Sequence, residues 1–185
     1  MTLPDFVVPT YIQMLGALSQ WLSKAETQRP DGSVDALLAA RLAPDMFPLA
    51  TQVRFACRQA QEGVFRLLEQ EFPPALETLL DEGRNAGERP GTLADAQARI
   101  VEIAVVVSAA ATGIITEPTA PIAHALPNGM ILDLTAEQYA RDWALQQFYF
   151  HVVTAYSIIR AQGIELGKAD YASHVFAYLR QNTPS

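Results

Sequence analysis

The chain has 185 residues, a formal net charge of −7, 50% hydrophobic and 18% charged residues, and one cysteine. That length suits one domain able to bury a core without cross-links. Its Lys and Arg residues are scattered, which argues against a nucleic-acid partner, and a lone Cys57 excludes an internal disulfide framework or a Cys-rich zinc site.

The opening MTLPDFVVPTYIQ carries neither a basic region nor a cleavage signature, so no signal peptide is expected. A first helix is predicted over about Pro4 to Gln28. Tyr11, Met14, Leu15, Leu18, Leu22 and Ala25 recur on one face at steps of three and four. Pro30, Asp31 and Gly32 break it, and a short helical piece follows over Ser33 to Leu42 with Ser33 as a possible cap. A second long helix is predicted from Asp45 or Phe47 to about Glu71, with Pro48 in its first turn. Its apolar face runs through Phe47, Ala50, Val53, Cys57, Ala60, Val64 and Leu67. Among Val53, Ala56 and Ala60, Cys57 reads as a small buried hydrophobe. It is also compatible with the reducing cytoplasm where the chain is expected to reside.

Pro73 and Pro74 end that helix, and Pro74 to Pro90 reads as a surface connection with at most one helical turn. Thr92 is a good N-cap for a third helix, with Asp95 near its positive end. Ile100, Ile103, Ala104 and Val107 mark its buried stripe, and its end is expected near Thr112 and Gly113. Its apolar run, Ile103 to Ile115, has 13 residues. A bilayer span needs roughly 20, so a buried helix is expected and no membrane partner.

Ile122 to Leu126 and Met130 to Leu134 flank Pro127, Asn128 and Gly129, a hairpin signal. A two-stranded ribbon is marginal alone and should lie against the helices. Thr135 and Gln138 have capping-box spacing at the start of a fourth long helix. It is predicted to reach about Ala161, with Gly163 as its stop. Leu166 to Asp170 reads as a loop and Tyr171 to Arg180 as a last short helix. The fold class is therefore all-α: four long helices in a bundle, with short extra helices and a small β-hairpin before the last long helix.

The fourth helix carries one of only three histidines. Ala144, Phe148, His151, Ala155 and Ile158 share a face, which turns His151 toward the core. A buried imidazole needs a hydrogen-bond partner or a metal. His151 is thus either a satisfied core histidine or part of a site.

HVVTAYSIIRAQG, at His151 to Gly163, resembles the DinB-like helical bundles, and in particular a branch known as a domain of unknown function. RLAPDMFPLATQ (Arg41 to Gln52), FYFHVVTAYSIIR, GIELGKADY (Gly163 to Tyr171) and PTYIQMLGALSQWLSKA extend the likeness over nearly the whole chain. None of these stretches is a catalytic fingerprint. The resemblance implies a divalent-metal site, zinc or nickel, built from three histidines: one on the second helix and two on the fourth, four residues apart. Residues at i and i+4 can converge on one ion, leaving a position open for water or substrate. In those proteins an arginine and a glycine follow the later histidine by nine and twelve residues. His151, Arg160 and Gly163 reproduce that spacing, so the earlier ligand position falls on Gln147 and the second-helix position near Gln52.

An amide oxygen is a weak neutral ligand beside imidazole, and first-row metals prefer nitrogen donors of the histidine type. The set His151, Gln147 and Gln52 should hold zinc or nickel poorly, whereas its members can hydrogen-bond to one another. A metal-free polar cluster is the expectation, with a weak or substituted metal site on His151 as the alternative. His124 and His174 read as surface residues, and Asp45 and Asp170 as cap or loop residues. Tyr156, five residues after His151, is a candidate binding residue whose ring should pack on a neighbouring helix. No glycine-rich phosphate loop, GxSxG elbow or HExxH motif occurs.

Phe148, Tyr149 and Phe150 point to three successive helix faces, so one ring packs elsewhere or marks a homodimer surface. The resemblance also implies pairing. The functional readings are then a small-molecule-binding or structural bundle with a degenerate metal site, a metal-dependent enzyme (thiol-transferase-like or hydrolase-like) using His151, or a homodimer acting through its surface.

Overall fold

The structure is a computed structural model, and it describes residues 2–110 and 117–180. Helix α1 (Leu3–Gln28) starts at a Thr2–Asp5 capping box, in which each side chain bonds the other's backbone N–H. The six residues expected on its apolar face are all buried. A 3₁₀ segment, Ser33–Ala39, follows. Helix α2 (Leu49–Leu67) begins after Pro48, which stands at its N-cap rather than inside the first turn. Phe47 lies outside the helix and is 52% exposed, so it does not belong to the apolar face expected of it. The helix also stops short of Glu71, because Glu69 takes a left-handed conformation at φ 51°.

The segment expected to be a surface connection is an eleven-residue helix, α3 (Ala75–Asn85). Leu76, Leu79 and Gly83 are its buried residues, at helical steps of three and four. Gly83 lies directly under the Phe55 ring, where a Cβ would overlap it. Its carbonyl accepts the Thr51 hydroxyl at 2.8 Å. A glycine near the end of α3 thus lets that helix settle onto α2.

Helix α4 (Leu93–Ala110) follows Thr92, whose side chain accepts the Asp95 N–H at 3.1 Å, while Asp35 accepts the Leu93 N–H. The end expected for this helix near Thr112 lies outside the described residues. Strands β1 (Pro121–Ala125) and β2 (Ile131–Thr135) pair antiparallel, with His124 opposite Leu132. Their turn closes through Gly129 N–H to Leu126 C=O, with Gly129 at φ 84°, a conformation that suits glycine.

Thr135 and Gln138 form the expected capping box at a helical turn, α5 (Ala136–Gln138). The fourth long helix then opens into a π-helical segment, Tyr139–Ala144, before continuing as α6 (Leu145–Ala161). Gly163, at φ 83°, terminates it, with its N–H on the Arg160 carbonyl. Part of the segment expected to be a loop forms the turn α7 (Lys168–Tyr171), and Ser173–Tyr178 is 3₁₀ rather than α-helical.

The long helices α1, α4, α2 and α6 form a ring in which α1 and α2 each border both α4 and α6. One hydrophobic core runs through all four. Among the described residues no helix is long and apolar enough to cross a membrane.

Candidate functional site

His151 sits on the α6 face that packs against α2 and is 9% exposed. Its Nδ1 lies 2.9 Å from Oε1 of Gln52, which is 2% exposed in the first turn of α2. The Gln52 Nε2 donates to the Phe47 carbonyl at 3.2 Å. A carbonyl can only accept, so this contact sets which end of the amide faces His151. The Gln52 oxygen therefore requires a donor, and the imidazole carries its proton on Nδ1. Phe55 and Phe150 each meet the ring edge-on at centroid distances of 5.3 Å. Burial pushes the imidazolium pKa down from 6.5 to about 4, so the ring is neutral near pH 7.

Gln147 stands one turn before His151 and is half-buried. It lines a cleft instead, and among the described residues it makes no hydrogen bond to His151 or Gln52. Tyr156 is directed elsewhere. Its ring packs edge-on against Trp21 at 5.3 Å and Tyr171 at 5.9 Å, and its hydroxyl accepts from Arg160. It belongs to the clasp that holds the C-terminal segment on α1, as does the Trp21 indole N–H bonded to the Asp170 carbonyl. Asp170 caps the Gly167 N–H and pairs with Lys24 at 2.9 Å. Asp45 is exposed and His174 is partly exposed.

His124 is not the surface residue expected. It is 6% exposed, because β1 alternates and Ile122 and His124 form its inward face. The ring lies 4.7 Å from Trp143 and 5.5 Å from Tyr139. Burial lowers its pKa, and the nearby Arg66 and Arg58 act in the same direction against the opposing pull of Glu62. Its Nδ1 is buried with no hydrogen-bond partner among the described residues.

Beside His124 lies a polar group with no counterpart among the expected site residues. Glu62, its side chain 6% exposed, is held between Arg58 at 2.5 Å and Arg66 at 3.5 Å. Arg66 also lies over the Tyr139 ring at 5.6 Å, near the Tyr139 hydroxyl but outside hydrogen-bonding geometry. Burial, reinforced by Glu62, raises the pKa of that phenol well above its ordinary value, so it stays protonated near pH 7. Arg58, Glu62 and Arg66 recur every four residues, a signal open to sequence reading. That their face is covered by a hairpin and a π-helical turn is not. A cleft of about 470 Å³ opens here between α2, α3, β1 and the π segment.

Residues 3–172 match the family described as a domain of unknown function, DUF1993. The chain belongs to that family. The crystal structure of a DinB family member protein from Shewanella denitrificans is similar at 33% identity and a TM-score of 0.70, over 91% of this chain and 90% of that one. The bundle of this DUF1993 protein is accordingly DinB-like. No curated protein matches the chain.

The DinB-like resemblance implies a divalent metal, and the residues present do not fit one. The matched positions offer one imidazole and two amides, and the His151 Nδ1 and Gln52 oxygen are committed to each other. Among the described residues no group of three or more His, Cys, Asp or Glu side chains could hold an ion. Cys57 supplies no thiolate either: it is fully buried and its pKa is pushed up to about 12 by that burial.

Proposed function

We propose that this DUF1993 protein is a small-molecule-binding bundle in which a hydrogen-bonded His151–Gln52 pair replaces the metal cradle. The observation that carries this is the buried 2.9 Å contact between His151 Nδ1 and Gln52 Oε1, backed by the Phe47 carbonyl. A neutral imidazole held by a neutral amide satisfies the interior without an ion. The cleft beside Gln147 has a volume within the range of small-ligand sites, about 300–1,000 Å³.

The test is metal content. Protein purified without a histidine tag and dialysed should hold well under one equivalent of zinc or nickel by mass spectrometry. Stoichiometric metal that survives dialysis overturns the proposal.

One observation favours a second reading, a divalent-metal-dependent enzyme using His151. With Nδ1 as the donor, Nε2 keeps the lone pair, which is the arrangement of metal-ligating histidines. Under that reading Gln52 orients the imidazole and Gln147 is a weak oxygen ligand, and the double substitution Gln147→His, Gln52→His gains zinc affinity. A double variant with no gain rejects it.

A further inference from the structure

The cleft between the hairpin and the bundle is built unlike the rest of this acidic chain. Its polar wall carries two guanidiniums, Arg58 on α2 and Arg84 on α3, and one carboxylate, Glu62. Glu62 is already shared between Arg58 and Arg66. Arg84 is exposed and has no ion pair or hydrogen bond among the described residues. Two buried nitrogens at this wall, His124 Nδ1 and Arg58 Nε, also lack partners. A net charge of −7 over the whole chain makes a cationic recess a local departure.

The rest of the lining includes apolar side chains, Trp143, Leu126, Pro127 and Leu80. Trp143 is delivered by the π-helical segment Tyr139–Ala144. Such segments cost regular hydrogen bonding and are often found at functional sites, where they re-aim side chains. An arginine in the last turn of a helix has a plain reading as a partner of the helix dipole. That reading accounts for Arg84 but not for Arg58 Nε, His124 or the placement of Trp143.

We propose that this cleft binds a small organic monoanion, a carboxylate on a flat apolar body, with the carboxylate at Arg84 and Arg58 and the body against Trp143. A guanidinium matches a carboxylate in a planar, paired fashion. A single charge suits a wall of two cations and one anion, whereas Glu62 opposes a dianion such as phosphate. The lining also includes Gln147, one turn before His151, so the recess opens next to the position matched to the ion site of the DinB-like bundles. The inference rests on the small-molecule reading above and names its ligand class.

Benzoate is the probe, with benzyl alcohol as its neutral counterpart and inorganic phosphate as the dianion. The chain has two tryptophans, and Trp21 is 1% exposed in the core, so a ligand-dependent change in fluorescence reports Trp143. Benzoate should shift the emission with a dissociation constant in the millimolar range or below, as expected of so small a ligand. Benzyl alcohol and phosphate should each bind at least about tenfold more weakly, a difference of about 1.4 kcal/mol. Arg84→Gln, an exposed change that leaves the core intact, should weaken benzoate about fivefold or more without moving the melting temperature.

Equal binding of benzyl alcohol and benzoate overturns the anion assignment while leaving the small-molecule reading in place. Tighter binding of phosphate overturns the carboxylate. No response to any probe, or full benzoate affinity in Arg84→Gln, overturns the site. The small-molecule reading itself falls separately, on stoichiometric metal.

Discussion

Replacing His151 with glutamine removes one titrating group while leaving an amide to face Gln52, so it isolates the pH-dependent part of this residue's contribution. In the folded chain burial holds the imidazole neutral down to about pH 4, against 6.5 for the free side chain. The folded value is the lower one. Between the two values the unfolded chain binds more protons, and stability falls as pH falls from about 6.5 to about 4. With those values, the loss from this group between about pH 7 and pH 5 is about 2 kcal/mol. His124, also shifted downward by burial, adds a loss of the same sign, but it is common to both chains and cancels in the comparison. Urea denaturation of parent and His151→Gln at the two pH values gives four unfolding free energies. The variant should lose about 2 kcal/mol less than the parent. Equal losses in the two chains would mean that His151 titrates normally and is open to water, and the buried His151–Gln52 pair would be refuted.

Gly83→Ala places a methyl group where the Phe55 ring sits and should lower stability by about 1–3 kcal/mol, the usual range for overpacking; an unchanged thermal midpoint would show that α3 does not dock through this contact. Cys57, fully buried with its pKa at about 12, should resist a colorimetric thiol reagent in the native protein and react with one equivalent after unfolding; fast native labelling would contradict its place in the core.

Much of the fold was legible because long amphipathic helices repeat their pattern many times. Tyr11 through Ala25 on α1 and Ala50 through Leu67 on α2 supply several turns of evidence each, and all of these face residues are buried. Capping boxes at Thr135 and the turn at Gly129 are local, governed by neighbours a few residues apart, and could be placed from short stretches. Helix α3 was missed because its buried face is short. Leu76, Leu79 and Gly83 make a weak stripe between prolines, and a glycine reads as a breaker unless its neighbour is known. The π-helical segment was missed for a related reason. Its sequence YARDWA keeps ordinary helical residues, so no local pattern marks the change in hydrogen bonding.

The site divides in the same way. Helical spacing put His151 on an inward face, and the family resemblance pointed to Gln52 as its neighbour, but the two positions are 99 apart in sequence and only the folded chain brings them to 2.9 Å. Tyr156 and Gln147 shared the helix with His151 yet turned to a different partner and a different opening. His124 carried a usable signal, the period of two shared with Ile122, although nothing in one strand says which face the bundle will cover.

By itself, the sequence determined the long helices, the inward face of each and the presence of the hairpin, since these follow from periodicity and capping within a few residues. Only the tertiary structure decided that α3 packs, that His124 is buried, and that Arg58, Glu62, Trp143 and Gln147 meet around one cleft. Those contacts depend on the order in which helices ring the core, which is set by the fit of whole faces rather than by any local stretch of chain.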